Sequence, residues 1–307
     1  MSPPDNPMDQ NEEVAEKLAR FKSVFIPYPR HVELHDRYDY LRRLGRHSMG
    51  EPQMGLRVLA PTGSGKSAAA RAYMALVEAK TPRTDSYIPI VKVDLERNST
   101  SKKLMMSILH ALGDPDVHYG NELTLKRRVL EYFIRFEVEL LIVDEVQHLN
   151  YRNGLKNDLT DTLKGLLDMG VVPIVFLGTP DAEVMFSRNL QLNGRLLPPC
   201  DLKPLQVARS EDRDLFARFV RSLDHVIVDQ GILPNLSDFE GVGLLPALFE
   251  VSDGVIGRVS RLLQAALEVA LRRGASQVER ADLAWAIDHW AVSQSFVKSN
   301  PLVGRHG

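Results

Sequence analysis

The sequence predicts an α/β fold with a mainly parallel sheet of five strands, followed by a small all-helical domain. Short apolar runs alternate with helix-like segments between residues 55 and 205, the pattern of strands joined by crossover helices. One of these runs, Val138 to Val143, does not alternate polar and apolar positions, which suits a strand buried on both faces. After Leu205 the composition shifts to longer segments with one apolar helical face.

The elements follow in order. GLRVLAP (55–61) is the first strand, and SAAARAYMALVEAK (67–80) is a helix rich in alanine, the best helix former. IPIVKVDL (88–95) is the second strand. Residues 101–112 form a helix, with Leu104, Ile108, Leu109 and Leu112 at helical spacing. A helix at 122–137 feeds the strand Val138 to Val143, and a further helix spans 156–168. VVPIVFLGT (171–179) is the fourth strand and CDLKPL (200–205) the fifth. Ser210, followed by Glu211 and Asp212, is read as a helix cap with a dipole-compatible first turn. Leu215, Phe216, Phe219, Val220 and Leu223 form that helix's apolar face, and two more helices are expected at 255–273 and 280–291. The expected divisions are a disordered acidic N-terminus (1–20), a segment of distinct character (21–50), the α/β core (51–206), the helical domain (207–293) and a flexible tail (294–307).

Composition narrows the function classes. With 25% charged residues, 44% hydrophobic residues and a formal net charge of −2 over 307 residues, the chain gives no global signal for nucleic acid. Any DNA contact would have to come from local Lys and Arg clusters that release counterions. A single cysteine, Cys200, excludes an internal disulfide, and the nine histidines show no metal-ligand spacing. The first twenty residues carry five acids and no apolar core, unlike a secretory leader. No stretch approaches the roughly 18 apolar residues of a membrane span. A reducing, cytoplasmic setting without membrane contact is expected.

The chemistry begins at LAPTGSGKSAAARAYMAL (59–76). Ala60, four residues, then Gly65, Lys66 and Ser67 nearly reproduce the P-loop pattern: glycines let backbone wrap phosphates, Lys reaches the β- and γ-phosphates, and a hydroxyl ligates Mg²⁺. Pro61, Thr62, Gly63, Ser64, Gly65, Lys66, Ser67 and Ala68 are therefore assigned to ATP, with the following helix N-terminus favouring an anion. Ala60 departs from the usual glycine, which matters only if that backbone needs positive φ. A plain turn would not require Gly-Lys-Ser between an apolar strand and an alanine-rich helix.

LLIVDEVQHLN (140–150) ends an apolar strand in two acids. Asp144 fits a Mg²⁺ ligand acting through water, and Glu145 a group that orients or deprotonates the attacking water. The plainer reading is a solubilised strand end. Thr179, closing the fourth strand in FLGTP, occupies the place where ATPases with an inserted sheet strand put a polar contact to the γ-phosphate or the lytic water; Gly-Thr-Pro is also a common turn. In FSRNLQLNGR (186–195), Arg195 first and Arg188 second are candidates for an arginine finger acting on a neighbouring subunit. In SDGVIGRVSRLLQ (252–264), Arg258 at a helix start could reach a nucleotide, with Arg261 or a solvated face as alternatives.

Together these motifs resemble an AAA+ ATPase of the initiator and transposition-regulator type. FIPYPRHVELHDRYDYLRRL (25–44) and DEVQHLN narrow the resemblance to the TniB family, relatives of the transposon regulators TnsC and phage Mu B. It spans residues 20–290. The resemblance implies an AAA+ core with a helical lid, ATP and Mg²⁺ as cofactors, and ATP-dependent assembly on double-stranded DNA as a homo-oligomeric ring or filament. It further implies target selection and recruitment of a DDE transposase, with an accessory target-selection protein as a second partner. Tyr28, Arg30 and His31 of the YPRH segment are then expected near the adenine, while the lid arginine matches only loosely.

Ser101, Lys102 and Lys103 sit at a helix start that faces the central channel in this type of ATPase, and Lys126, Arg127 and Arg128 form a second basic cluster. Lys102, Lys103 and Arg127 are the DNA-contact candidates, against the reading of solvated helix faces. Two other functions stay open: a DNA-remodelling AAA+ protein of the helicase-loader or initiator kind, and a nucleotide-gated interaction module without appreciable hydrolysis.

Overall fold

The computed structural model describes residues 7–148 and 159–303. In chain order it contains α1 (Pro7–Ser23), α2 (Pro29–His47), β1 (Gly55–Leu59), α3 (Lys66–Lys80), β2 (Ile90–Asp94), α4 (Ser101–Ala111), α5 (Glu122–Arg135), β3 (Leu140–Asp144), α6 (Leu159–Asp168), β4 (Ile174–Gly178), α7 (Glu183–Arg188), α8 (Leu190–Asn193), α9 (Ser210–Asp229), α10 (Leu244–Ser252), α11 (Ile256–Arg272) and α12 (Arg280–Ala286). Short 3₁₀ turns at Val146–His148 and Pro180–Ala182 follow β3 and β4. The expected helix start at 156 and the last two residues of DEVQHLN lie outside the described residues. Two units emerge: the described residues of 30–62 and 66–202, and those of 1–29, 63–65 and 203–307.

The first unit is built on a parallel sheet in the order β1-β4-β3-β2. Every residue of β3 and β4 is buried, which explains runs with no alternation. Leu104, Ile108, Val129, Phe133, Leu163 and Leu166, from α4, α5 and α6, share a core cluster with Leu141, Val143, Ile174 and Phe176 of the sheet. Elsewhere in the unit α2 braces α3. The Tyr38 and Tyr73 rings meet edge-on at 5.5 Å, the Tyr73 hydroxyl donates to Asp39 at 3.2 Å, and His35 Nε2 lies 2.7 Å from the Ala69 carbonyl. Leu34, Tyr38 and Leu41 recur on one buried helical face.

The described residues hold four strands, not five. The segment expected as the fifth does run beside β1: Leu197 N–H donates to the Gly55 carbonyl (2.8 Å), Cys200 N–H to Arg57 (3.1 Å) and Leu202 N–H to Leu59 (3.0 Å). Between the first two bonds it spends three residues against two of β1, and Pro198 and Pro199 fall there without N–H groups. The reciprocal donor, Leu59 N–H, goes to the Asp201 side chain (2.7 Å) and not to a backbone carbonyl. A regular ladder is thus interrupted at both ends, although the chain still covers the sheet edge.

The second unit is helical. Phe216, Val220 and Leu223 of α9, Leu248 of α10, Leu262, Leu263, Ala266 and Leu267 of α11 and Leu283 of α12 form its core. Ser210 is the first residue of α9, not its cap; Arg209 precedes it without a side-chain cap, and Asp212 instead accepts the Gln206 N–H at 2.9 Å. Beyond α12 the chain continues as a π-type turn from Ile287 to Val292. Two expectations of disorder are corrected over residues 7–20 and 294–303; residues 1–6 and 304–307 lie outside the described residues. Pro7–Ser23 is a helix whose Val14 and Phe21 enter the helical core, and its Gln10 side chain donates to the Arg272 carbonyl at 2.9 Å. In the expected tail, Leu302 is buried and Asn300 donates to the Ala284 carbonyl at 2.8 Å. Both segments are polar overall, and their few apolar anchors gain a partner only in the folded unit. Among the described residues no helix is long and apolar enough to cross a membrane.

Candidate functional site

The site residues gather at the carboxyl ends of β1, β4 and β3, the edge where open parallel sheets place ligands. After β1, Gly63 and Gly65 take φ of +85° and +87°, conformations that a side chain would strain. Ala60 is not among the positive-φ residues, so the missing glycine costs nothing there; its N–H donates to the Gly178 carbonyl at 3.0 Å. Thr62 and Gly63 are exposed, Pro61, Gly65, Ser67 and Ala68 are half-buried, and Ser64 and Lys66 are buried. Lys66 is already the first residue of α3, one position earlier than the sequence suggests.

Lys66 Nζ lies 3.6 Å from Glu145 Oε1. Asp144 ends β3 and is 1% exposed; its Oδ1 accepts the Glu145 N–H at 2.9 Å. Oδ2 is buried without a hydrogen bond, and although Lys92 Nζ stands 3.2 Å away, it does so off the bonding direction. Buried polar atoms are nearly always bonded, so a carboxylate oxygen with an ion pair to Lys92 but no hydrogen bond, beside a P-loop, fits a position for a cation or its water. A Mg²⁺ set of one hydroxyl, one carboxylate, phosphates and water needs no cluster of acids, and none of three or more His, Cys, Asp or Glu occurs among the described residues.

Glu145 has φ of +60°, rare for a side chain of this kind. Its Oε2 accepts from Gln147 Nε2, while Gln147 Oε1 accepts the Thr179 N–H at 3.0 Å. Thr179 Oγ1 donates to Asp181 at 3.1 Å. Sequence reasoning missed Gln147 and Lys92. Gln147 lies inside DEVQHLN with no signal of its own, and its bridge exists because β4 lies next to β3. Lys92 was hidden inside a strand; a lysine in an apolar run such as IPIVKVDL was the available signal, and its side chain contacts both Asp94 and Asp144.

Other candidates are placed less directly. Arg195 donates to Asp168 at 2.8 Å, and its carbonyl accepts from Gly55 at the start of β1. It therefore sits at the edge of the sheet opposite the P-loop, about 13 Å away along a five-residue strand. Arg188, exposed at the end of α7, has no side-chain hydrogen bond or ion pair among the described residues. Lys102 and Lys103 are exposed in the first turn of α4, with Lys103 3.7 Å from Glu96; Arg127 is exposed on α5, 3.5 Å from Glu131. Ser101 and Arg128 are structural: Ser101 bonds Thr162 at 2.6 Å, and Arg128 pairs with Asp114 and donates to the Asp116 and Tyr119 carbonyls.

In the helical unit, α11 begins against residues 63–65. A Cβ on Gly257 would lie 2.0 Å from the Gly63 carbonyl oxygen, and Arg258 Cγ would lie 3.6 Å from one on Gly63. The Arg258 guanidinium stands over the Phe296 ring at 4.8 Å and donates to Ser252 at 3.4 Å. Tyr28 is buried in the same unit, edge-on to Phe219 at 6.1 Å. Arg30 and His31 open α2 in the α/β unit, where His31 is buried and Arg30 half-buried.

A strand inserted between the P-loop strand and the acid strand, with a helical unit after it, is the AAA+ P-loop ATPase fold. Residues 19–203 match the family model described as Bacterial TniB protein, more than half of the chain, and the chain belongs to the TniB family. No match is found among curated proteins. Among solved structures, similar folds include the Aeropyrum pernix ORC2 protein in ADPNP–ADP complexes (14% identity, TM-score 0.61, covering 88% of this chain and 71% of that one). Cdc6p from Pyrobaculum aerophilum is similar at 17% identity and TM-score 0.62, over 88% of this chain and 70% of that one. The Aeropyrum pernix ORC1 protein in complex with DNA aligns at 18% identity and TM-score 0.62, over 86% and 65%. At these identities the likeness is one of fold.

Proposed function

We propose that this protein is an ATP-hydrolysing regulator of transposition that oligomerises on double-stranded DNA, selects a target and recruits a DDE transposase. The observation that carries the ATPase reading is the convergence of Lys66, Asp144, Glu145 and the Gln147–Thr179 bridge at one sheet edge. Family membership supports transposition, and fold relatives solved with ADPNP and ADP or with DNA support nucleotide and duplex as ligands.

In this reading residues 61–68 cradle the phosphates, and Ser67 with Asp144 would hold Mg²⁺, which supplies charge neutralisation on the β- and γ-phosphates. Glu145 orients and deprotonates the attacking water. Arg258 reports nucleotide state to the helical unit. Arg30 and His31 are assigned to the adenine, and Tyr28, whose ring packs on Phe219, to the core of the helical unit. Arg188 replaces Arg195 as first choice for the finger, because Arg195 already has Asp168 as a partner. Lys102, Lys103 and Arg127 contact DNA phosphates, a few per subunit, and assembly multiplies them.

Negative-stain imaging with duplex DNA and a slowly hydrolysed ATP analogue tests the proposal. Rings or filaments are expected only when both are present and should be lost in Lys66→Ala, which removes the phosphate-binding amine. Assemblies that form equally without nucleotide, or undiminished in Lys66→Ala, would sink it; particles that stay monomeric would favour the nucleotide-gated module.

A further inference from the structure

We infer that Gln147 is a positioning residue that ties the water-activating carboxylate to the end of the inserted strand. This rests on the ATPase reading of the site. Gln147 spends both ends of one amide on two different elements: Nε2 donates to Glu145 Oε2, and Oε1 accepts the Thr179 N–H at 3.0 Å. The Thr179 donor fixes which way the amide faces, because a backbone N–H requires an oxygen opposite it. The nitrogen is then obliged to face the carboxylate. Glu145 itself stands in a left-handed conformation at φ +60°, which persists only where surrounding contacts over-determine it.

The chemistry at position 147 is specific. Glutamine supplies one donor and one acceptor at the reach needed; glutamate keeps the acceptor for Thr179 but turns a second negative oxygen toward Glu145, and methionine keeps the volume while losing both bonds. Lys66 Nζ, 3.6 Å from the other oxygen of Glu145, holds the carboxylate from the opposite side, so Gln147 sets its rotation between the P-loop and β4. A carboxylate that swings by an ångström can lose about a hundredfold in rate without changing how phosphates are held.

The test compares wild type, Gln147→Met and Gln147→Glu for affinity toward a slowly hydrolysed ATP analogue, for kcat of ATP hydrolysis with duplex DNA present, and for melting temperature. Both variants should keep nucleotide affinity within about twofold while kcat falls by about ten- to a hundredfold. Gln147→Glu should fall at least as far as Gln147→Met, because it alone places like charges together. An unchanged kcat in both variants overturns the inference, as does a loss of nucleotide affinity or melting temperature that matches the loss of kcat, the mark of a merely structural residue. Wild type without any turnover overturns the ATPase reading and this inference with it; turnover in wild type with an undiminished kcat in Gln147→Met overturns the inference alone.

Discussion

Glu145 shows how single residues are arranged around the proposed reaction. Its left-handed backbone costs about 1–3 kcal/mol, and the contacts that offset this are the bonds to Asp144, Lys66 and Gln147. Changing Glu145→Gln preserves size and removes the base, so the variant should bind ATP normally, hydrolyse it about a hundredfold more slowly or worse, and remain longer on DNA. Filter binding beside a phosphate-release assay checks this, and wild-type turnover would remove Glu145 from its role. At this scale the sequence was explicit about Lys66, Asp144 and Glu145, because strand–loop–helix context makes those residue types diagnostic. It was silent about Gln147, whose partner Thr179 lies 32 positions away.

Among the elements, α11 depends on a close approach that only glycine permits. Gly257→Ala would place a Cβ 2.0 Å from a backbone oxygen of Gly63, which cannot move aside as a side-chain tip could. The expected result is a destabilisation of about 1–3 kcal/mol together with weakened nucleotide binding, read by thermal unfolding and by titration with a fluorescent ATP analogue; a variant equal to wild type in both would show that the loop gives way freely. The edge segment after α8 makes a related point. Pro198, Pro199 and the Asp201 side chain break the ladder beside β1, so CDLKPL keeps the place of a fifth strand with only part of its hydrogen bonding, through the Cys200 and Leu202 N–H groups. The two prolines just before it were visible in the sequence, yet their effect depends on which edge of β1 faces them.

For the whole molecule, the proposed function asks near-neutral protomers to act together on a polyanion. With a net charge of −2 a single subunit offers little electrostatic attraction to DNA, and in the proposed assembly exposed Lys102, Lys103 and Arg127 would be concentrated along one duplex. In the proposed assembly, a neighbour's arginine completes the site. Arg188→Ala should therefore retain ATP binding while losing DNA-stimulated turnover, and mixing it into wild type should depress activity more steeply than dilution does. Arg195→Ala should lose only a half-exposed ion pair with Asp168, worth about 0–1 kcal/mol, with turnover kept. The reverse pattern would restore Arg195 as the finger.

By itself the sequence determined the parallel α/β core, the helical unit, the P-loop and the acid pair, because hydrophobic period and motif spacing are local properties of the chain. Tertiary structure alone decided the strand order that puts β4 between β1 and β3, the burial of α1 and the chain around Leu302 in the helical core, and the partners of Gln147 and Arg195. These depend on which distant segments become neighbours. A mostly polar stretch with one or two apolar anchors carries too little local signal to reveal them, and an amide or guanidinium acquires its role only from what stands opposite.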